Sequence, residues 1–335
     1  MNAMLCRLCI AFLLTAALSR AAVIQENFAT DPFARGWRTF GDASLFRWSA
    51  ANQNLEATWD SSRTNSFFHL PLGTIVTKGD NFSFSFEVRL SDLRLGNTPG
   101  KTNEFQMAVG LLNYASATRS NYFVGTGVNS TYGIRNAVEF DYFPDAGFGE
   151  TLATVVVSTN NRIYPAHNFP LRMTTGDTFR ITLTYTASNQ LLRTTATKNG
   201  APFGKLPGNT LDDLLLAGRN DFHVDSFAVI SYSDAIQAGP PSFHGSILAH
   251  GTVDNVQITV PQPPVSNLRL SFTDSVWRTQ FTSTTNWTYT LERSADLSVW
   301  SVASPATAGT GTTLSLDDAD LIATKSFYRV HAERP

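Results

Sequence analysis

Apolar and polar residues alternate along much of this chain with the two-residue period of a β-strand. In residues 81–90, phenylalanine, valine and leucine occupy every second position, and serines or charged residues fill the positions between them. Residues 178–186 repeat the pattern, and residues 191–197 lead into Asn199-Gly200, a dipeptide typical of a two-residue hairpin turn. Each segment therefore predicts a strand with one face in a core and the other in water.

Shorter apolar runs predict further strands, and one segment has helical spacing. Ala108 and Gly110 lie in one of these runs, and such small residues indicate that a neighbouring backbone approaches closely. The leucines of residues 209–218, at positions 211, 214 and 215, predict a short helix. The remaining predicted strands are residues 105–112, 137–142, 152–158, 222–232 and 251–260. Many short strands with almost no helix favour an all-β fold, an antiparallel two-sheet sandwich of jelly-roll type.

A proline-rich spacer, Pro261-Gln-Pro-Pro264, predicts an extended linker, and short strands are predicted again after it. The pattern of residues 287–300, followed by Phe327-Tyr-Arg-Val330, resembles a small C-terminal module found on many exported multi-domain bacterial proteins. This resemblance implies a small fibronectin-like β-sandwich. The expected boundaries are residues 22–260 for the jelly-roll domain, 261–265 for the linker and 266–335 for the small β-sandwich.

The first 21 residues have the features of a signal peptide. Arg7 precedes an apolar run over residues 8–18, and Ser19-Arg20-Ala21 offers small residues for cleavage. Both cysteines, Cys6 and Cys9, lie inside this segment, so the mature chain has no disulfide. We therefore expect an exported protein, either secreted or held at the cell surface or in the periplasm, and the lack of disulfides favours a bacterial source.

The charge balance argues against two classes of partner. The chain has 25 basic and 27 acidic residues, and without Arg7 and Arg20 the basic residues number 23. A net negative charge gives no electrostatic attraction to nucleic acid or to an anionic membrane surface. No segment approaches the roughly 20 apolar residues that cross a bilayer, so membrane insertion is not expected.

The candidate chemistry lies in residues 136–150. Alternation along the strand predicted at residues 137–142 places Glu139 and Asp141 on one face with Phe143, opposite the face of Tyr142. Two acids at this spacing can bind a cation, act as acid and base, or line a wet groove, and we expect a groove face here. No Gly-x-Ser-x-Gly elbow, phosphate loop or dinucleotide fingerprint accompanies them.

The segment Ala137-Val-Glu-Phe-Asp-Tyr-Phe-Pro-Asp145 resembles the metal-binding segment of the concanavalin A-like lectin superfamily. The resemblance implies that Glu139 and Asp141 hold a metal ion, calcium in the case of Asp141. Asp145 stands where the family usually has Asn, and Glu150 stands where it has Asp. The family's metal-binding histidine should fall near Val155 and is missing, so the resemblance implies calcium rather than manganese.

Three functions are consistent with these residues. The first is non-catalytic recognition of a polysaccharide or cell-surface glycan, with Tyr142, Phe143 and Phe148 as stacking aromatics. The second follows from a resemblance to laminarinase- and agarase-type glycoside hydrolases, which would make Glu139 the nucleophile, with Asp141 beside it. The second glutamate of that motif falls on Phe143 or Pro144, which argues against an enzyme. The third is a structural or adhesive surface protein.

Overall fold

The computed structural model describes residues 21–95, 107–119, 135–146, 149–205, 208–233, 247–320 and 326–334. The chain divides into two compact units, one formed by Ala21–Pro263 and one that includes Pro264–Pro335. Each unit consists of antiparallel strands that form two sheets. The prediction of an all-β, two-sheet sandwich fold is therefore confirmed.

The strands of the first unit follow closely on one another. In chain order they are β1 (Ala21–Glu26), β2 (Arg38–Phe40), β3 (Phe46–Ser49), β4 (Asn54–Asp60), β5 (Ser66–Thr77), β6 (Phe82–Leu95), β7 (Met107–Leu112), β8 (Ala137–Ala146), β9 (Gly149–Val157), β10 (Ile163–Asn168), β11 (Thr178–Thr186), β12 (Leu191–Lys198), β13 (Ala201–Phe203), β14 (Leu214–Leu215), β15 (His223–Ser231) and β16 (Ile247–Pro261). In the part of the chain that the structure describes, the helical segments are a single α-helical turn and two 3-10 turns, namely α1 (Tyr114–Ala117), Pro32–Arg35 and Ala43–Leu45.

Within the described residues, these strands form a nine-stranded and a seven-stranded sheet. The nine-stranded sheet has the order β13-β12-β11-β6-β16-β4-β3, with β1 added on β16 and β14 on β12. The seven-stranded sheet has the order β10-β9-β8-β7-β15-β5-β2. Strands distant in the chain, such as β6 and β16, are neighbours, as crossover connections in a sandwich require.

The main core lies between the two sheets and is rich in phenylalanine. The inward residues of β6 and β11 are buried, as their alternation predicts. Phe86 on one sheet contacts Phe140 on the other, with ring centroids 5.9 Å apart, and Phe84 meets Phe227 at 5.7 Å. The hairpin predicted at Asn199-Gly200 is also present, and both of its turn residues have positive φ.

The outer face of the seven-stranded sheet is buried as well. A second apolar cluster lies on this face and includes Phe67, Val155, Ile230 and Tyr232. The expectation that this face of β8 lines a wet groove is therefore wrong. Alternation assigned the side chains to the correct faces, but it could not show that both faces of this sheet are buried.

The predicted helix at residues 209–218 is wrong. The segment forms a short strand, β14, which pairs with Leu191 and Leu192 of β12. Leu211 and Leu216 are the buried leucines there, whereas Leu215 is exposed. Among the residues that the structure describes, no helix is long and apolar enough to cross a membrane.

The second unit is a small sandwich with its own core. Phe281 packs on Tyr289 across the two sheets, with ring centroids 5.0 Å apart. The first sheet has the order β17-β18-β22, and in the second β19 pairs with β20, β21 and β23. The strands are β17 (Val265–Thr273), β18 (Val276–Ser283), β19 (Thr288–Ser294), β20 (Ser301–Val302), β21 (Thr307–Ala308), β22 (Thr313–Asp318) and β23 (Phe327–Glu333).

Candidate functional site

The two predicted acids lie side by side in the middle of the seven-stranded sheet. Glu139 and Asp141 alternate on β8, and both are 0% exposed. Glu139 stands between Gly110 of β7 and Val155 of β9, at the position where the metal-binding histidine was missing in the sequence. Small residues of β7 and β9 likewise flank Asp141. The acids are therefore enclosed by backbone and apolar side chains.

Gly110 allows this close packing. A Cβ atom built on Gly110 would lie 2.3 Å from the carbonyl oxygen of Val138 and 2.7 Å from the Cα atom of Glu139. Real Cβ atoms do not approach backbone this closely. The prediction that a backbone approaches β7 at its small residues is confirmed.

A tyrosine that the sequence did not single out completes the cluster. The phenolic O–H of Tyr232 donates a hydrogen bond of 2.6 Å to Glu139 Oε1. Burial raises the pKa of Glu139 to about 7, and hydrogen bonds with Tyr232 and Asp141 limit the rise. Burial and the nearby Glu139 charge also raise the pKa of Tyr232 well above its usual value, which keeps Tyr232 a donor. The raised pKa favours the protonated form of Glu139 beside Asp141.

The predicted stacking aromatics are not on an open surface. Tyr142 lies in the core between the sheets and is fully buried, and burial raises its pKa to about 12. Phe143 is also buried, on the other face of β8, where its ring lies 6.4 Å from that of His167. Phe148 lies outside the described residues. Neither Tyr142 nor Phe143 can therefore stack on a sugar in this structure.

Of the predicted metal ligands, the described side chains bring only Glu139 and Asp141 together. Glu150 is paired with Arg172, with 3.3 Å between Glu150 Oε1 and Arg172 Nε, and the side chain of Asp145 lies outside the described residues. No group of three metal-ligating side chains occurs in the part of the chain that the structure describes. Calcium prefers six to eight oxygen ligands, and the described side chains bring only the two carboxyl groups of Glu139 and Asp141 together. We therefore derive no role for calcium from these residues.

Burial also separates the acids from any substrate. Hydrolysis of a glycosidic bond requires two carboxyl groups that flank the bond, about 5 to 10 Å apart. Glu139 and Asp141 are enclosed together on one face of β8. The second glutamate of the hydrolase motif is replaced by Phe143 or Pro144, and both of these are buried. The described residues therefore give this strand no accessible pair of catalytic carboxyls.

An accessible polar site occurs instead on the outer face of the nine-stranded sheet. A depression of about 680 Å³ opens there over β4, β16 and β6. The side chains that line the depression come from the outward positions of each strand, because the residues between them point into the core. The polar lining residues are Asn52, Asn54, Glu56, Thr58, Arg89, Ser91, His250 and Thr252.

Hydrogen bonds hold several of these side chains in place. His250 Nδ1 donates to Asp92 Oδ1 at 2.9 Å, and Thr58 lies on the other side of His250 in the sheet. Arg89 Nε donates to the carbonyl oxygen of Gly176 at 2.9 Å, and Glu56 pairs with Arg47. The depression therefore presents partly fixed donors and acceptors to solvent.

The alternation of β6 indicates part of this site in the sequence, because it places Arg89 on the outward, polar face of the strand. The sequence alone could not show that β16 inserts between β4 and β6 and brings His250 beside them. In the sequence, His244 and His250 flank a predicted strand, and two histidines without further ligands are only a weak indication of a zinc site. His244 lies outside the described residues, and His250 is paired with Asp92.

The chain matches no protein-family model and no curated protein. Solved structures similar to it include peanut lectin with a nine-residue peptide, at 13% identity and a TM-score of 0.43 over 71% of this chain and 98% of the lectin. Winged bean acidic lectin with methyl-α-D-galactose has 11% identity and a TM-score of 0.40, over 72% of this chain and 99% of the lectin. The seed lectin of Lotus tetragonolobus has 13% identity and a TM-score of 0.39, over 72% of this chain and 100% of the lectin. Similarity at this level says nothing about the ligands of this chain.

Proposed function

We propose that this protein is an exported, non-catalytic, lectin-like protein that binds a polysaccharide or cell-surface glycan on the outer face of its nine-stranded sheet. The observation that carries the proposal is the open polar depression over β4, β16 and β6. It brings an imidazole, a guanidinium, a carboxylate, amides and hydroxyls together on rigid strands.

A glycan is the ligand class that this lining favours. Each sugar hydroxyl can donate and accept a hydrogen bond, and side chains such as Asn54, Glu56 and Arg89 are complementary to both roles. Apolar small molecules instead prefer pockets lined by hydrophobic side chains. Because the site is wet and open, we expect specificity to come from several modest hydrogen bonds rather than from a deep anchor.

The same face favours a chain of sugars over a single sugar. A second polar depression of about 460 Å³ lies beside β1, β11 and β16 and includes Arg180 and Gln257. Gln257 is opposite Ser85 of β6, four residues from Arg89. At about 3.3 Å per residue, the two depressions lie about 13 Å apart along the strand. An extended polysaccharide could contact both.

The absence of catalysis and the export of the chain are also part of the proposal. The enclosed position of Glu139 and Asp141 supports binding without hydrolysis. The leader-like residues 1–21 support export. Sequencing the amino terminus of the protein recovered from the medium or periplasm of an expressing bacterium tests export, and the predicted result is a terminus close to Ala22.

A glycan array tests the binding proposal. The wild-type protein should bind a subset of polysaccharides, and Arg89→Ala should weaken that binding by about tenfold, the equivalent of one charged hydrogen bond. Arg193→Ala is the matched control, because Arg193 is exposed on β12 of the same sheet but pairs with Asp213 outside the depression. If no glycan binds, or if both variants behave alike, the proposal is wrong.

A further inference from the structure

The polar depression over β4, β16 and β6 contains an arginine that no described carboxylate neutralises. Arg89 projects from β6 on the open face of the sheet and is exposed. Its Nε atom donates to the carbonyl oxygen of Gly176 at 2.9 Å, and Arg89 makes no salt bridge with the residues that the structure describes. The bond to Gly176 uses one of the five N–H donors of the guanidinium, so the donors of its two terminal nitrogens are available to a ligand.

The carboxylates around Arg89 on this face have partners of their own. The pairs are Glu56 with Arg47, Glu87 with Arg180, and Asp92 with His250. Asp254, a further acid of β16, lies outside the lining of the depression and is opposite Glu87 rather than Arg89. The positive charge of Arg89 is therefore left for an anion from outside the described chain.

The side chains beside Arg89 are suited to the hydroxyls of a sugar. Thr252 of β16 lies between Arg89 on β6 and Glu56 on β4. Since neighbouring strands are about 4.8 Å apart, the Cα atoms of Arg89 and Glu56 lie about 10 Å from each other, with the Thr252 hydroxyl between them. His250 lines the same depression two residues from Thr252. A sugar whose anionic group contacts Arg89 therefore has its hydroxyls near Thr252 and His250.

We infer, on the basis of the proposed glycan-binding function, that this depression prefers an acidic polysaccharide whose sugars carry carboxylates, as uronic acids do. The end of a guanidinium presents two parallel N–H donors, which match the two oxygens of a carboxylate. Hydrogen bonds between charged groups are stronger than those of a neutral hydroxyl. A neutral sugar at the same place gains only the weaker kind from Arg89.

This preference depends on local contact, because the chain as a whole does not attract anions. It has 25 basic and 27 acidic residues, so its overall charge is slightly negative. Exposed charges are also screened beyond about 10 Å at about 0.1 M salt. The preference should therefore have the size of one charged contact, about tenfold in affinity, and it should shrink when salt is added.

Polysaccharides that differ only in charge test the inference on the full chain. Polygalacturonate, alginate and polyglucuronate are each compared with their carboxyl-reduced forms, in which every carboxylate has become a neutral hydroxymethyl group. In calorimetric titration, the wild type should bind at least one acidic form about tenfold more tightly than its reduced form.

Three variants test whether Arg89 causes the preference. Arg89→Ala should bind both forms equally, whereas Arg89→Lys retains the charge and should keep part of the preference. Arg94→Ala is the matched control, because Arg94 is also exposed on β6 but lies opposite Leu248 and outside the depression. Its preference should equal that of the wild type. Since both arginines are exposed, all three variants should fold as the wild type does.

The possible results separate this preference from glycan binding itself. Equal or tighter binding of the reduced forms by the wild type overturns the preference and leaves the glycan-binding proposal standing. Binding of a sulfated galactan without binding of any polyuronate overturns it as well. So does an equal loss of preference in Arg94→Ala and Arg89→Ala, since the cause would then be general charge. If no polysaccharide binds in either form, the glycan-binding proposal is wrong and the preference falls with it.

Discussion

At the scale of single residues, the most unusual feature is the burial of two acids beside a tyrosine. A buried charge without compensation is costly, and Glu139 lowers that cost through its raised pKa and by accepting a hydrogen bond from Tyr232. The alternation of β8 could predict that these acids share a face. It could not predict their burial, because Tyr232 and Ile230, which belong to the cluster on that face, come from another part of the sequence.

The raised pKa of Glu139 predicts a specific pH dependence of stability. Glu139 holds a proton in the folded state up to about pH 7, whereas the unfolded chain releases it near pH 4.5. The free energy of unfolding should therefore fall with rising pH across this window, by about 3 kcal/mol from this residue. Glu139→Gln removes this titration. In urea unfolding at pH 5, 6, 7 and 8, the free energy of unfolding of the variant, relative to that of the wild type, should therefore rise with pH.

The comparison with the variant is needed because another residue titrates in the opposite sense. Burial lowers the pKa of His69 to about 4, which makes stability rise with pH below about 6.5. Glu56→Gln, on the open face of the other sheet, is the control, and its difference from the wild type should vary by less than about 0.5 kcal/mol. Parallel stability curves for the wild type and Glu139→Gln would contradict the account.

A second prediction concerns the close approach at Gly110. Gly110→Ala places a Cβ atom against the backbone of β8 and should lower the free energy of unfolding by about 2 to 3 kcal/mol. Gly79→Ala is the control, because the nearest atom to its Cβ is Thr77 Oγ1 at 3.6 Å. That variant should lie within about 1 kcal/mol of the wild type in the same urea titration. Equal stability of the two variants would show that β7 and β8 can separate.

At the scale of elements, alternation was the reliable signal and helical spacing was not. β6 and β11 could be predicted from their sequence because their phenylalanines and leucines occur at every second position. The leucine spacing of residues 209–218 predicts a helix wrongly, because three leucines in so short a segment do not determine the period. Its conformation follows instead from pairing between β14 and β12, a contact that the local sequence does not encode.

Two substitutions distinguish the observed strand from the predicted helix. Leu216 is buried and Leu215 is 55% exposed, the reverse of what the helical spacing implied for Leu215. Leu216→Ala should cost about 2 to 5 kcal/mol of stability because it leaves a cavity. Leu215→Ala should cost less than about 0.5 kcal/mol. Thermal unfolding of both variants checks this, and a larger loss for Leu215→Ala would favour the helix.

At the scale of the whole molecule, the sheet class was predictable and the site was not. The two-sheet architecture follows from strand periodicity, which is local. The polar depression depends on β16 lying between β4 and β6, which no local pattern reveals. The motif of Glu139 and Asp141 is visible in the sequence, whereas the accessible donors and acceptors lie on the other sheet around His250 and Arg89.

The central claim is that glycans bind the open face of the nine-stranded sheet and not the acids of β8. Calorimetric titration with the polysaccharide that binds most strongly on the array tests it, using Glu139→Gln and His250→Ala at pH 7. Glu139→Gln should bind as the wild type does, and His250→Ala should bind at least about tenfold more weakly. Loss of binding in Glu139→Gln with full binding in His250→Ala would contradict the account.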